Sequence, residues 1–331
     1  MRRRETLLLT RGEVAALLGI DECIAAVERA FALHAAGRSL PPGVLGVHAP
    51  GGGFHLKAAG LQMGRSYFAA KLNGNFPGNR ERFGLPTIQG VVVLCDADNG
   101  SPLALMDSMQ ITILRTGAAT AAAAKRLARA SASAAAIIGC GNQGRVQLRA
   151  LARVLPLRRV WAFDTEAPRL RAFLEEMSTE LGLEVEPAGD PGAAARAADV
   201  CVTCTPSRRP FLRPGDLQPG AFLAAVGADS DDKQELEPTL VAGCKIVVDD
   251  LEQCATIGEL HHALEAGLLT RADVHADLAA VIAGDAPGRT SEDEIILFDS
   301  TGTALQDVAA AAMVYEMASA AGAGTWLDLG R

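Results

Sequence analysis

The sequence predicts an α/β protein in which a doubly wound parallel sheet is inserted into an α+β unit built from both ends of the chain. Three observations lead there. From residue 134 to residue 298 short apolar runs alternate with longer helical stretches, the pattern of βαβ units in a parallel sheet. Ahead of them lies a series of strand-like runs separated by Gly, Pro and Asn turns, which reads as a meandering sheet. Behind them an Ala-rich helix, 303–321, has no further strand to lead to and is expected to fold back onto the first unit. With 331 residues the chain can bury two cores. The predicted domains are 1–128 plus 304–331, and 129–303.

In order, the first unit begins with a helix over 21–36, where Ile24, Val27, Phe31 and His34 share one face, with Asp21 placed to cap its start and Gly37 its end. Strands are predicted at 44–48, 54–58, 67–72, 88–94 and 103–107. A helix over 109–129 follows, rich in alanine and so helical by propensity alone. The alternating region supplies strands at 134–138, 160–163, 200–205, 222–226, 246–248 and 295–298.

Composition narrows the function classes. Apolar residues make 49% and charged residues 21% of the chain, which excludes a disordered or fibrous protein. The 31 basic and 39 acidic residues give a net charge of −8, and with no dense basic stripe nucleic acid is excluded as a partner. The basic start Met1-Arg2-Arg3-Arg4 is followed by only three leucines before Thr10 and Arg11, too short for an export signal. Stretch 39–56 is uncharged but broken by Pro41, Pro42 and several glycines, so no membrane span is expected. Seven cysteines scattered through apolar segments fit free thiols in a reducing cytoplasm.

The run Gly139-Cys140-Gly141-Asn142-Gln143-Gly144 follows strand 134–138 and opens a helix ending near Val154. Gly139 permits the tight turn, Gly141 lets backbone N–H groups approach a pyrophosphate, and the helix N-terminus adds partial positive charge. Twenty residues beyond Gly144, Asp164 ends the second strand, where a carboxylate binds a ribose diol. Context and spacing therefore predict a Rossmann-type dinucleotide site. Asp164, Thr165 and Glu166 disfavour a 2′-phosphate and point to NAD, while Arg169 and Arg171 nearby keep NADP possible. Cys201 and Cys204, three apart on a buried strand, point to opposite faces and read as core. His261 and His262, adjacent on a helix, should point in different directions, so no metal is expected.

Three further segments carry chemistry. Lys71 closes a strand and runs into the loop Asn73-Gly74-Asn75-Phe76-Pro77-Gly78-Asn79. Arg115 sits in the otherwise uncharged Leu114-Arg115-Thr116-Gly117-Ala118-Ala119-Thr120. Asp229 follows the carboxyl end of a parallel strand in Val226-Gly227-Ala228-Asp229, where doubly wound sheets place ligands. With the glycine loop, Lys233, and Phe298-Asp299-Ser300-Thr301-Gly302 leading to Gln306-Asp307, these stretches resemble the ornithine cyclodeaminase/μ-crystallin family over essentially the whole chain.

The resemblance implies a substrate-binding and dimerisation domain around an inserted Rossmann domain, a homodimer, and NAD(P)-linked chemistry on amino acids or their imines. It implies that Lys71 and Arg115 are substrate-carboxylate ligands, that Asp229 is the acid/base, and that Gly302 lies beside the substrate. Cofactor contacts would come from Thr87, Thr116, Gly139, Gly141, Asn142, Gln143, Asp164, Thr205, Val226, Lys233 and Ser300. The chain departs from the family in two places. Gly43 stands where many members have an Arg, and Lys57-Ala58 where many have Met-Pro. Lys57, on the strand beside Lys71, is expected to replace the lost charge.

The chemistry agrees. Cations that fix the carboxylate of an α-imino acid align its imine carbon for hydride transfer, and a carboxylic acid can supply the nitrogen's proton. The expected activity is NAD(P)H-dependent reduction of a cyclic ketimine such as Δ1-pyrroline-2-carboxylate. Ornithine cyclodeamination and non-catalytic binding of a small molecule are the alternatives.

Overall fold

The computed structural model describes residues 5–330; the basic start at 1–4 and residue 331 lie outside them. Described residues up to Arg115, with those from Thr303 onward, form one compact unit, and Thr116–Gly302 form the other. The first division falls inside the helix Ser108–Leu127, where the sequence reading set it at 128/129. Local packing explains the place. A Cβ on Gly117 would lie 2.9 Å from the Val146 carbonyl oxygen, so at Gly117 the helix backbone lies directly against Val146 of the helix Asn142–Val154.

The first unit holds a seven-stranded sheet in the order Thr325–Asp328, Glu5–Leu9, Pro102–Asp107, Ile88–Asp96, Ser66–Asn75, Gly52–Gln62 and Ser39–Ala49. The last five form the anticipated antiparallel meander. All five are longer than predicted, and the three at the far edge most of all, because glycines inside Ser39–Ala49, Gly52–Gln62 and Ser66–Asn75 are carried within the pairing rather than ending it. Two strands were not foreseen. Glu5–Leu9 pairs parallel with Pro102–Asp107 and antiparallel with Thr325–Asp328, and its Leu7 and Leu9 are buried. Such short end strands acquire their structure from the partner rather than from their own pattern.

The helix Ile20–Ala35 starts one residue earlier than expected. Gly19, not Asp21, is its N-cap; Asp21 instead lies in the first turn, where its charge favours the positive end of the helix dipole. Gly37 does follow the helix end at φ +68°, the left-handed conformation that suits glycine. The C-terminal helix Ala304–Ala321 is buried along most of its length and packs on Gly52–Gln62, Ser66–Asn75 and Ile20–Ala35.

The second unit is a doubly wound α/β fold. Its eight-stranded sheet is parallel throughout, in the order Ala276–Asp277, Lys245–Val248, Ile296–Asp299, Phe222–Ala225, Val200–Thr203, Ala134–Ile138, Arg159–Phe163 and Glu184–Pro187. The six predicted strands are central; the two outermost, Glu184–Pro187 and Ala276–Asp277, carry no apolar run by which to read them. Strand order reverses between Ala134–Ile138 and Val200–Thr203, the crevice where such sheets bind ligands. A two-stranded ribbon, Arg208–Leu212 with Gln234–Leu236, completes the unit.

Candidate functional site

In the second unit the glycine turn is built as its residues require. Gly139 sits at φ +104°, and a Cβ there would meet the Cys204 carbonyl oxygen at 2.9 Å. Gly144 has no room for a side chain because its Cβ would fall 2.2 Å from the Gly139 carbonyl oxygen. Gly141 is the N-cap of the helix Asn142–Val154 and supplies no side-chain cap, so the helix start is suited to receive an anion. Gln143 Oε1 is buried without a hydrogen-bond partner, a polar atom that a bound ligand would satisfy.

Asp164 fastens this turn to the end of the second strand. Its carboxylate accepts from the Cys140 N–H at 2.9 Å and the Glu166 N–H at 2.8 Å. Arg169 lies 3.3 Å from Asp164 and 2.8 Å from Glu166, partly cancelling the negative charge that the sequence alone sets against a 2′-phosphate. A cleft of about 710 Å3 runs along these groups, lined by Gly139, Gly141, Asp164, Arg169, Thr205 and Arg209 among others.

Thr205 donates its N–H and hydroxyl to Glu235. Val226 directly follows the strand Phe222–Ala225. Asp229 lies on an exposed loop and pairs with Lys233. The Ser300 hydroxyl and Gly302 N–H both donate to Asp249, at 2.9 and 2.7 Å. Asp249 and Glu235 escaped sequence reading because nothing in their spacing marks a buried carboxylate that clamps backbone.

His261 and His262 do not diverge as expected. Their ring centroids lie 5.0 Å apart, because His262 Nε2 turns to the Lys233 carbonyl at 2.8 Å while His261 stays near Glu265 at 3.5 Å. All seven cysteines are free. The Cys204 thiol donates to the Gly139 carbonyl at 3.1 Å.

In the first unit the alternation of Ser66–Asn75 puts Tyr67, Ala69 and Lys71 on its buried face, so Lys71 occupies a core position. Its ammonium lies 2.8 Å from Asp307. Arg115 is also buried; its Nη1 donates to Gln306 Oε1 at 3.0 Å, and its Nε lies 3.2 Å from Asp307 Oδ1. Lys57 sits directly opposite Lys71 in the strand register, hence on the same face of the sheet.

The electrostatics follow from burial. Desolvation pushes the Lys71 ammonium down to about 7, opposed by Asp307 and reinforced by Arg115 and Lys57. Burial also raises the Asp307 carboxyl, but Lys71 and Arg115 outweigh it and hold the group below the ordinary carboxylate range. Two buried cations thus share one carboxylate, with Lys57 adding positive charge, and the cluster is suited to a second, exogenous carboxylate. The sequence singled out Lys71 and Arg115 but assigned nothing to Asp307. Its signal was present: Asp307 and Glu316 are the two acids in an otherwise uncharged, Ala-rich helix, and a buried anion there requires a cation.

Known proteins agree with this architecture. The chain is 42% identical over 315 residues to alanine dehydrogenase of Archaeoglobus fulgidus, covering 95% of both. A solved archaeal alanine dehydrogenase dimer with bound NAD is similar at TM-score 0.94 and 40% identity, covering 98% of this chain and 99% of that one. The Thermococcus litoralis Δ1-pyrroline-2-carboxylate reductase, solved with NADH and L-proline, is similar at TM-score 0.92 and 33% identity, covering 97% and 99%. Residues 4–322 match the sequence profile of the ornithine cyclodeaminase/mu-crystallin family. Profile, whole-length relatives and the two-unit fold coincide, and the chain belongs to the ornithine cyclodeaminase/mu-crystallin family.

Proposed function

We propose that the protein is an NAD(P)H-linked oxidoreductase acting on the C–N bond of a small α-imino or α-amino acid, with a cyclic ketimine of the Δ1-pyrroline-2-carboxylate class as the substrate it reduces. The observation that carries this reading is the buried Lys71–Arg115–Asp307 cluster, whose positive excess suits one added carboxylate. In this reading Lys71 and Arg115, with Lys57, hold the substrate carboxylate, Gly302 lies beside the substrate, and Asp229 exchanges the proton of its nitrogen. Gly139, Gly141, Asn142, Gln143, Asp164, Thr205, Val226, Lys233 and Ser300, with Thr87 and Thr116, hold the dinucleotide. When bound, that cofactor supplies or accepts the hydride.

The 42% identity with an alanine dehydrogenase supports a second reading, in which the imine is a linear one formed from a 2-oxo acid and ammonia. Cyclodeamination of ornithine is the weaker reading, because Lys57 beside Lys71 would repel the distal ammonium. Assaying cyclic imines, pyruvate with ammonia, and ornithine by reduced-nicotinamide absorbance separates the three. Turnover of none of them would favour the reading as a non-catalytic binding protein.

Variants at two positions test individual roles. Lys57→Met is expected to raise KM for the imino acid at least several-fold, with Lys57→Arg recovering part of the loss. Unchanged kinetics in Lys57→Met would remove Lys57 from the site. NADH is expected to exceed NADPH in kcat/KM, with Arg169 moderating the difference, and Asp164→Ala should narrow it. A wild-type protein that strongly prefers NADPH would refute the Asp164 assignment.

The reading also includes a homodimer in the cytoplasm. Leu45, Val47, Phe54, Leu72 and Val91 leave an exposed apolar face on the first unit's sheet, larger than single scattered hydrophobes, and a second copy of the chain is its proposed cover. One solved relative is a dimer. Among the described residues no helix is long and apolar enough to cross a membrane.

A further inference from the structure

We propose that Glu235 is a positioning residue for the dinucleotide cleft, locking the loops that leave two adjacent strands so that Thr205 presents its methyl group, not its hydroxyl, to the glycine turn. This rests on the reading of the second unit as a dinucleotide site.

Glu235 is fully buried on the strand Gln234–Leu236. Its Oε1 accepts both the N–H and the hydroxyl of Thr205, each at 2.7 Å, and its Oε2 accepts the Gly227 N–H at 3.1 Å. Thr205 follows the strand Val200–Thr203 and Gly227 follows Phe222–Ala225, neighbours in parallel register. One carboxylate therefore spans two carboxyl-terminal strand ends beside the point where strand order reverses.

The fit is close. A Cβ on Gly227 would lie 2.4 Å from Glu235 Oε2, so the loop backbone rests directly on the carboxylate. With its hydroxyl committed to Glu235, Thr205 turns its Cγ2 toward Gly139, 3.1 Å from where a Cβ would stand. Thr205 also lines the cleft, so the rotamer that Glu235 selects shapes the wall facing the turn.

Glu235 is itself held. Its N–H and that of Leu236 donate to the buried Glu259 carboxylate at 2.7 and 3.0 Å. Glu259 begins the helix Glu259–Glu265, and the next N–H, of Leu260, donates to Asp299 at 2.9 Å, the last residue of Ile296–Asp299. The clamp is thus anchored through backbone to a third strand end.

A carboxylate is required here. Three donors converge on two oxygens, and an amide would set its NH2 group against a backbone N–H, that of Thr205 or that of Gly227, which cannot accept. Burial alone disfavours an ionised Glu, so its presence calls for a task that a neutral side chain cannot perform.

The test is titration of the full-length protein with NADH by nicotinamide fluorescence, together with far-UV circular dichroism. Glu235→Gln is expected to raise the NADH Kd at least tenfold while the number of sites per chain and the spectrum stay those of the wild type. Its KM for NADH should rise in parallel and its KM for the imino acid should change less than threefold. A merely structural role would instead lower the number of competent sites and leave Kd unmoved, and that result overturns the proposal. Gly227→Ala, which drives a methyl into the carboxylate without removing it, should weaken NADH in the same way; an unchanged Kd there is equally fatal. Wild-type protein that binds neither NADH nor NADPH would overturn the dinucleotide reading as well, a result distinct from a wild type that binds and a Glu235→Gln that binds equally.

Discussion

Arg115→Met is expected to lose roughly 10²- to 10⁴-fold in kcat/KM for the imino acid, the equivalent of about 3–5 kcal/mol for removing one member of a buried charge pair. The loss should fall on the substrate and spare the dinucleotide, because Arg115 lies within the first unit's buried cluster. Steady-state kinetics with NADH and imine varied independently measure the split, and a kcat/KM within threefold of wild type would make Arg115 merely structural. A pH series adds a second signature. Lys71, pushed down to about 7 by burial with Arg115 repelling it, holds its proton below that pH and loses it above, so KM for a carboxylate substrate should climb on the alkaline side. Removing the Arg115 charge relieves that repulsion, and the climb should begin at higher pH in the variant.

Asp307→Asn should strongly destabilise the first unit. It leaves the Lys71 and Arg115 charges buried without their shared anion, a situation that costs about 3–5 kcal/mol. Thermal unfolding at pH 7 should show an early transition absent from the wild type, and acetate or a substrate carboxylate should partly reverse it by standing in for the lost charge. The sign of the pH dependence is fixed by the same geometry. The Asp307 carboxyl is held below its unfolded value, so its contribution is present above the unfolded carboxylate pKa and lost as pH falls through the native one. Wild-type and variant stabilities should therefore converge in acid. Coincident melting curves at pH 7 would show that the cluster does not need its anion.

The inserted parallel sheet was legible because its central strands are continuous apolar runs at regular spacing, and the glycine turn because two of its glycines answer a steric demand: Gly139 and Gly144 face carbonyl oxygens where a Cβ would stand, while Gly141 has open space. Lys71 and Arg115 stood out as lone charges in apolar segments, and the structure brings them to one carboxylate. What escaped depends on partners distant in the chain. The short strands Glu5–Leu9 and Thr325–Asp328 exist because Glu5–Leu9 pairs with both Pro102–Asp107 and Thr325–Asp328, and neither carries enough pattern to declare itself. Asp307, Glu235 and Asp249 are buried carboxylates whose partners are remote cations or backbone N–H groups, and no local period encodes such a contact. The boundary inside Ser108–Leu127 was hidden for the same reason, since a continuous helix gives no compositional break where its contacts change.

The return of the C-terminal helix to the first unit sets the order in which the chain can mature on the ribosome. Lys71 and Arg115 emerge early, yet the anion that neutralises them is Asp307, 236 residues after Lys71. At about 5–20 residues per second, the nascent first unit waits roughly 10–40 s between synthesis of its second cation and of that anion. Meanwhile the sheet face destined for Ala304–Ala321 stays uncovered, while Thr116–Gly302 has all of its own contacts available and can fold first. Synthesis therefore favours an inserted domain that matures before its host. The uncovered meander, with apolar side chains on both faces, is the stretch on which a chaperone would act.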